Sequence, residues 1–299
     1  MLLIGENLNV MVKRIGEAMK ERDPKPIQEM AIAEAEAGVD FIDINLGPAR
    51  KGGDELMAWM VKTVQEVVDT RLYLDTTNMQ AIEAGLKAYV PKKGKAVINS
   101  IMCRPERMEA QIPMAAQYDA GMVALLWGPE GLPRDASERS LLATDILTRA
   151  LEAGIQPPDI YVDPIITPVN VQQAQLLECI EFMRQLQELA EVIAPGVNST
   201  CGLSNCSNGA PDHLRAILNQ TFMIIIERYG MTTAIVDAFD KDLAAIARGH
   251  RSQIADLVNR VVDGEPVDMA ALSKEEQDYV KTVRVLLGHT VYSDSWLEL

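Results

Sequence analysis

Short apolar runs recur along the chain and alternate with longer stretches of helical periodicity. The runs Leu2–Asn9, Phe41–Gly47, Leu72–Asn78, Ala96–Met102, Met122–Gly128, Ile160–Ile166, Val197–Ser204 and Thr233–Asp240 have strand length and strand composition. Between them, the spacing predicts amphipathic helices. Pro26–Ala37 opens on proline and is followed by Gly38, the asymmetry expected at the two ends of a helix. Asp135-Ala-Ser-Glu138 reads as a capping box that opens a helix ending near Ala153, and Ser273-Lys-Glu-Glu276 opens another near the C-terminus. No hairpin signal separates one run from the next, so the strands are expected to be parallel.

Eight strand–helix units close a barrel, and the expected fold class is α/β, a (β/α)8 TIM barrel. A doubly wound open sheet is the alternative, but it usually carries a glycine-rich first turn, which GENLN (Gly5–Asn9) is not. After the last strand the chain runs on. Lys241–Val262 reads as helical, Asp263–Pro266 as a turn and Ser273–Gly288 as helical again. One helix would complete a barrel, so residues 241–288 are expected to add a C-terminal helix–loop–helix layer to a single domain spanning 1–299. Packing and partner docking are both open roles for it.

Charge narrows the partners. With 28 basic and 43 acidic residues the formal net charge is −15, and no basic stripe is concentrated anywhere. Such a surface repels nucleic acid and anionic membranes. The apolar start MLLI is interrupted at Glu6 and reads as a first strand, not a signal peptide. No apolar run approaches the ~18–20 residues that a membrane span needs. Four cysteines fit reduced thiols and a cytoplasmic location. Cys201 and Cys206 form a lone C-x4-C pair, a weak metal signal, and are read as free thiols.

Candidate chemistry collects at the strand ends. Glu6 and Asn9, Asp43 and Asn45, Asp75 and Asn78, Asn99, Asp163, Asn205, and Asp237 with Asp240 all fall at or near the C-terminal end of a predicted strand. In this fold that end is where active sites lie. The fifth strand offers Trp127 and Gly128 instead. Asn78 and Asp240 stand one residue before helices and are read as caps. Asp75 and Asp163 stand earlier in their strands and are read as site residues. Alternation puts Asp43 and Asn45 on one face, and Asp75 with Thr77 on one face, which a barrel would turn inward. The chain has neither a GxSxG elbow nor a P-loop. Two of its three histidines, His250 and His289, lie beyond the last strand, away from this surface, and no lysine occurs at the strand ends. Metal and Schiff-base chemistry are therefore not expected. The set is suited to holding a flat polar heterocycle, with a buried Asp accepting two N–H bonds from an aminopyrimidinone edge.

The strand-end motifs carry a resemblance. MLLIGENLN, ERDPKPIQE (Glu21–Glu29), IDINLGPA, LDTTN with AIEAGLK, VINS, YVDPIITPVN, GLSN with the later NQTF (Asn219–Phe222), and VYSDSW near the end occur in order. They resemble the methyltetrahydrofolate:corrinoid methyltransferases, a branch of the pterin-binding TIM-barrel superfamily. The resemblance runs from Met1 to about Phe239 and resumes at His289–Trp296. It implies that Asp75, Asn99 and Asp163 hold the pterin and that Asn205, the catalytic candidate, hydrogen-bonds near N5. It implies that Arg215 lies near the aminobenzoate–glutamate side, although the loop before it, which contains Asn208, is about two residues longer than the family pattern. Glu6, Asn9, Asp43, Asn45 and Asp237 remain unassigned members of the same face. The implied reaction moves a methyl group between N5 of methyltetrahydrofolate and the cobalt of a corrinoid protein. Methyltetrahydrofolate or tetrahydrofolate would be the substrate, cobalamin would be carried by the partner, and the assembly would be a homodimer. The pathway and the direction stay open. The alternatives are a dihydropteroate synthase-like pterin transferase and a non-catalytic folate-binding subunit.

Overall fold

A computed structural model describes residues 1–298. Eight strands form one sheet: β1 Leu2–Gly5, β2 Phe41–Asn45, β3 Arg71–Asp75, β4 Val97–Met102, β5 Gly121–Leu125, β6 Ile160–Asp163, β7 Asn198–Ser199 and β8 Thr233–Val236. Every pairing is parallel, and the order is β7-β6-β5-β4-β3-β2-β1-β8. The ends of this sheet meet. Gly202 bridges Ile235 in parallel, and the Ile235 amide donates to the Cys201 carbonyl at 2.8 Å. The expected (β/α)8 barrel is the observed one.

The closing seam differs from the other seven. Ser199 and Thr232 exchange bonds through their hydroxyls: the Ser199 amide donates to Thr232 Oγ1 at 2.8 Å, and the Thr232 amide donates to Ser199 Oγ at 3.0 Å. Side chains thus take backbone groups that a ladder would otherwise pair. This is why the predicted strand Val197–Ser204 contracts to two residues. Its last two residues, Leu203 and Ser204, open the 3-10 turn Leu203–Ser207. The fourth predicted strand ends at Met102 as observed, and the other six run three residues or so past the observed ends, where the chain leaves the ladder for the loops.

Helix signals held where a cap could be named. Asn78 accepts from the Gln80 and Ala81 amides, and Asp240 from the Leu243 amide, so both are caps. Ser273 and Glu276 form the full capping box, whereas Asp135 accepts from the Glu138 amide and Glu138 turns its own carboxylate to the Arg134 amide. The helix expected at Pro26 begins earlier, at Pro24, with Asp23 as its cap. The stretch Lys241–Val262 is two helices, Lys241–Ala247 and Ser252–Val262, parted near Gly249, whose φ of +77° suits glycine. The helices Ser252–Val262 and Lys274–Leu286 pack on each other and on the barrel helix Asp212–Arg228. The added layer therefore lies outside the helical ring. Tyr279 Oη donates to Gln220 at 2.6 Å, and buried Trp296 donates to Thr282 at 3.1 Å, which fastens the C-terminal segment.

Inside the barrel is a plug separate from the main core. Ile4, Phe41, Tyr73, Val97, Val123 and Tyr161 pack together with Ile235, one residue from each strand except β7. The Phe41 and Tyr73 rings meet edge-on at 5.2 Å, and Tyr73 and Tyr161 at 5.7 Å. The Arg71 guanidinium lies 4.5 Å from the Phe41 ring centre. Successive strand residues alternate between the two faces, so the next inward position on each strand is two residues further along. Counting on from the plug gives Glu6, Asp43, Asp75, Asn99, Leu125, Asp163 and Asp237. Six of these seven positions are acidic or amide residues, and together they form a polar storey directly above an apolar floor.

Candidate active site

Two hydrogen-bonded groups, with Asp163 apart from both, make up the polar part of this storey. In the first, Asn99 Nδ2 donates to Asp43 Oδ1 at 3.0 Å, and Asn45 Nδ2 donates to Asp75 Oδ2. The neighbouring register pairs Asn45 with Asp75 and Asp75 with Asn99, so β2, β3 and β4 bring these four side chains to one place. The peptide bond between Asn99 and Ser100 is cis. Asp43 is 2% exposed. Burial, and then the charge of Asp75, push its carboxyl well above the usual carboxylate range. Burial also raises Asp75, partly offset by a bond with Asp43. Two carboxyls in one dry site hold a proton between them.

Asp163 stands across the barrel on β6. Burial raises its pKa to about 7, against a bond from the Ile165 amide to Oδ1 at 2.8 Å. Ile165 sits at φ +67°, a costly conformation for a β-branched residue, and it is this turn that brings its amide back to the carboxyl.

The second group lies where β1, the turn after β7 and the chain leaving β8 meet. Ser204 donates to Glu6 Oε1 at 2.6 Å. Burial raises the Glu6 carboxyl, the Ser204 bond lowers it, Asp237 raises it and Arg215 lowers it. Arg215 Nε also donates to Ser207 Oγ at 3.3 Å, on the same 3-10 turn. Asn205, the residue after Ser204, is exposed, and its side chain forms no hydrogen bond among the described residues. It stands at the rim with an amide available to a ligand.

Some predicted residues are turned to other work. Asn9 accepts from the Met11 amide at 2.9 Å and shapes its own turn. Asp237 accepts from Asn7 Nδ2 at 2.9 Å and from the Phe239 amide at 3.0 Å. Asn208 is exposed on the far side of the turn from Gly202, its amide bonded to the Asn205 carbonyl. Thr77, expected inward with Asp75, lies beyond the end of β3 and is exposed. Trp127 and Gly128 follow β5 into a loop. All four cysteines are buried and free. No helix among the described residues is long and apolar enough to cross a membrane.

Three residues of the region escaped the sequence reading. Ser204 falls at the end of a predicted strand, where nothing in the spacing marks its hydroxyl. Gln111 lies on the buried face of the helix Pro105–Gln117, and Glu34 on the buried face of Pro24–Glu36. A polar residue at a position of the apolar stripe was the available signal for both.

Comparison with known proteins agrees with this geometry. Residues 5–237 match the family model described as pterin binding enzyme. A methylcorrinoid:tetrahydrofolate methyltransferase from Eubacterium limosum is 30% identical over 246 residues, covering 81% of this chain and 87% of that protein. The methionine synthase of Mycobacterium leprae is 25% identical over 248 residues, 79% of this chain but only 20% of that much longer protein. Among solved structures, dihydropteroate synthase from Yersinia pestis superposes with a TM-score of 0.61 at 16% identity, covering 84% of this chain and 93% of that one. The Xanthomonas albilineans enzyme bound to 7,8-dihydropteroate gives 0.59, also at 16% identity, over 84% of this chain and 93% of that one. At that identity the likeness speaks for the fold alone. The chain belongs to the pterin-binding enzymes, and its similarity to the Eubacterium limosum protein places it with the methyltransferases of that family.

Proposed function

We propose that this enzyme moves a methyl group between N5 of tetrahydrofolate and the cobalt of a corrinoid held by a partner protein. The observation that carries the proposal is the pairing of a rim amide, Asn205, with a storey of carboxyl and amide groups deeper in the barrel. The storey suits the pyrimidine edge of a pterin, and the rim amide suits its other ring.

Asp75 and Asp163 offer acceptors on opposite sides of the barrel, Asp75 to the N–H groups of the pyrimidine edge and Asp163 to N8–H of the adjoining ring. Asn99 is a donor held by Asp43, and as an amide it recognises without changing charge. The apolar plug beneath stops the ring from sinking further. The corrinoid supplies the metal centre that gives or takes the methyl. The chain's own task is at N5. As the methyl leaves, N5 gains electron density, and the Asn205 Nδ2–H bond to it strengthens. A donor that interacts better with the transition state than with the ground state raises the rate. Asn205 has no proton to give up, so water at the open rim supplies the one that N5 takes. In the reverse direction the lone pair of N5 attacks the methyl, and the N5 proton passes to water at the open rim. Fixing the pterin from below holds N5 toward the mouth, where orientation can be worth up to roughly 7–11 kcal/mol in well-aligned systems.

The test is spectroscopic. The protein is mixed with methyltetrahydrofolate and reduced free cobalamin, and separately with tetrahydrofolate and methylcobalamin. Interconversion of the cobalamin spectra in at least one direction is expected. Silence in both directions would remove the proposal.

A further inference from the structure

We propose that Gln111 completes the folate pocket as the acceptor for the second hydrogen of the pterin 2-amino group, and so selects for pterins that carry that amino group. The inference rests on the reading of the barrel mouth as a folate site.

Gln111 is 1% exposed, on the helix that follows β4. Its neighbours on that face, Met108, Ile112 and Ala115, are apolar and pack into the core. Gln111 Oε1 nevertheless has no hydrogen-bond partner among the described residues. Buried acceptors in native proteins are nearly always partnered. An amide retained on an apolar stripe, with its oxygen left over, points to a partner that arrives from outside the chain.

The surroundings say where it arrives. Gln111 lines a cavity together with Asp75, Asn99, Ser100, Thr76 and Arg107. The cavity measures about 40 Å³. One water-sized group needs roughly 10–15 Å³, so an amino group fits. The chemistry of the ligand supplies the matching surplus. A 2-aminopyrimidinone presents N3–H and two amino hydrogens. A single carboxylate such as Asp75 takes N3–H and the nearer amino hydrogen, as a bidentate pair. The farther amino hydrogen is then a donor without an acceptor, beside a carboxylate whose neighbour in the cavity is an acceptor without a donor. A glutamine suits the position better than a glutamate, because Asp43 and Asp75 already bring two carboxyls into this corner, and each raises the cost of a further charge.

The experiment compares two ligands on two proteins. Dissociation constants are measured for tetrahydrofolate and for an analogue with methyl in place of the 2-amino group, on the unsubstituted protein and on Gln111→Met. Methionine keeps the length and the apolar packing and removes the acceptor; Gln111→Glu, which keeps an acceptor, serves as the second variant. Gln111→Met is expected to weaken tetrahydrofolate about tenfold or more and the analogue less than about twofold, while Gln111→Glu retains discrimination between the ligands. Equal weakening of both ligands, or none, overturns the assignment while leaving the folate site intact. If the unsubstituted protein binds no tetrahydrofolate, the folate reading itself is wrong and the role of Gln111 falls with it.

Discussion

The Ser204 hydroxyl donates to the Glu6 carboxylate at 2.6 Å across 198 residues of sequence. The bond ties the turn Leu203–Ser207 to the first strand of the barrel, and Asn205 is the next residue along that turn. Ser204→Ala removes the donor and leaves a largely buried carboxyl short of a partner, at a cost of about 1–3 kcal/mol. If the bond positions Asn205, transfer at saturating folate should fall about tenfold while folate affinity changes little, since displacement by an ångström is enough for such losses. A lower melting temperature with an unchanged turnover number would show that the bond serves stability alone.

Asn205 itself should separate chemistry from binding. Asn205→Ala removes a donor whose bond strengthens only as N5 gains electron density. Loss of one such donor costs roughly 10²–10³ in rate elsewhere in acyl transfer. A fall of that order in single-turnover methyl transfer is expected, with the dissociation constant of methyltetrahydrofolate rising only a few fold. Parallel losses in both would make Asn205 a binding residue.

Most of the barrel was written in the chain because parallel strands buried on both faces read as apolar runs, and caps such as Asn78 and Asp240 mark their own helices. The inward storey was written there too. Asp43, Asp75, Asn99 and Asp163 each follow a plug residue by two places, which is a local rule. The bond between Glu6 and Ser204 is not local, and no spacing in the sequence announces it. The shortness of β7 has a similar cause, since the Ser199–Thr232 exchange that replaces its ladder toward β8 joins distant segments. Gln111 and Glu34 were readable as misplaced polar residues, but what each one faces depends on how the helices settle on the barrel.

Folate binding should release protons. Asp163 has a pKa raised to about 7 by burial, and Asp75 is raised by the same cause. The pterin N–H groups need carboxylates, so below pH 7 the ligand must displace a proton. Affinity for methyltetrahydrofolate should rise between about pH 5.5 and 7.5, by up to about tenfold per unit for each group, and then level off. Titration calorimetry in buffers of different ionisation enthalpy should show net proton release near pH 6.5. Asp75→Asn should weaken binding and reduce both the release and the slope. A dissociation constant that is flat from pH 5.5 to 8 would exclude both carboxyls from the pterin contact.

Glu34 gives the prediction for the fold. Its side chain is fully buried behind β1, where Oε1 accepts from the Asn7 amide at 2.8 Å and Oε2 has no partner among the described residues. Gly5 permits this approach, since a Cβ there would lie 2.5 Å from Oε1. Burial, opposed by the Asn7 bond and reinforced by the charges of Glu6 and Asp237, raises the pKa from 4.5 to about 8. The folded state therefore holds a proton that the unfolded chain releases near pH 4.5. The stability this contributes is fully present below pH 4.5 and declines as pH rises toward 8, by about 1.4 kcal/mol per unit at most, then levels off. Glu34→Gln cannot ionise and keeps an acceptor for the Asn7 amide. The melting temperature of Glu34→Gln minus that of the unsubstituted protein should thus grow by about 2 °C per pH unit between pH 5 and 8, and stop growing above it. Asp163 titrates in both proteins and drops out of the difference. A difference that does not change with pH would mean that Glu34 is ionised in the folded barrel and that its pKa is not raised.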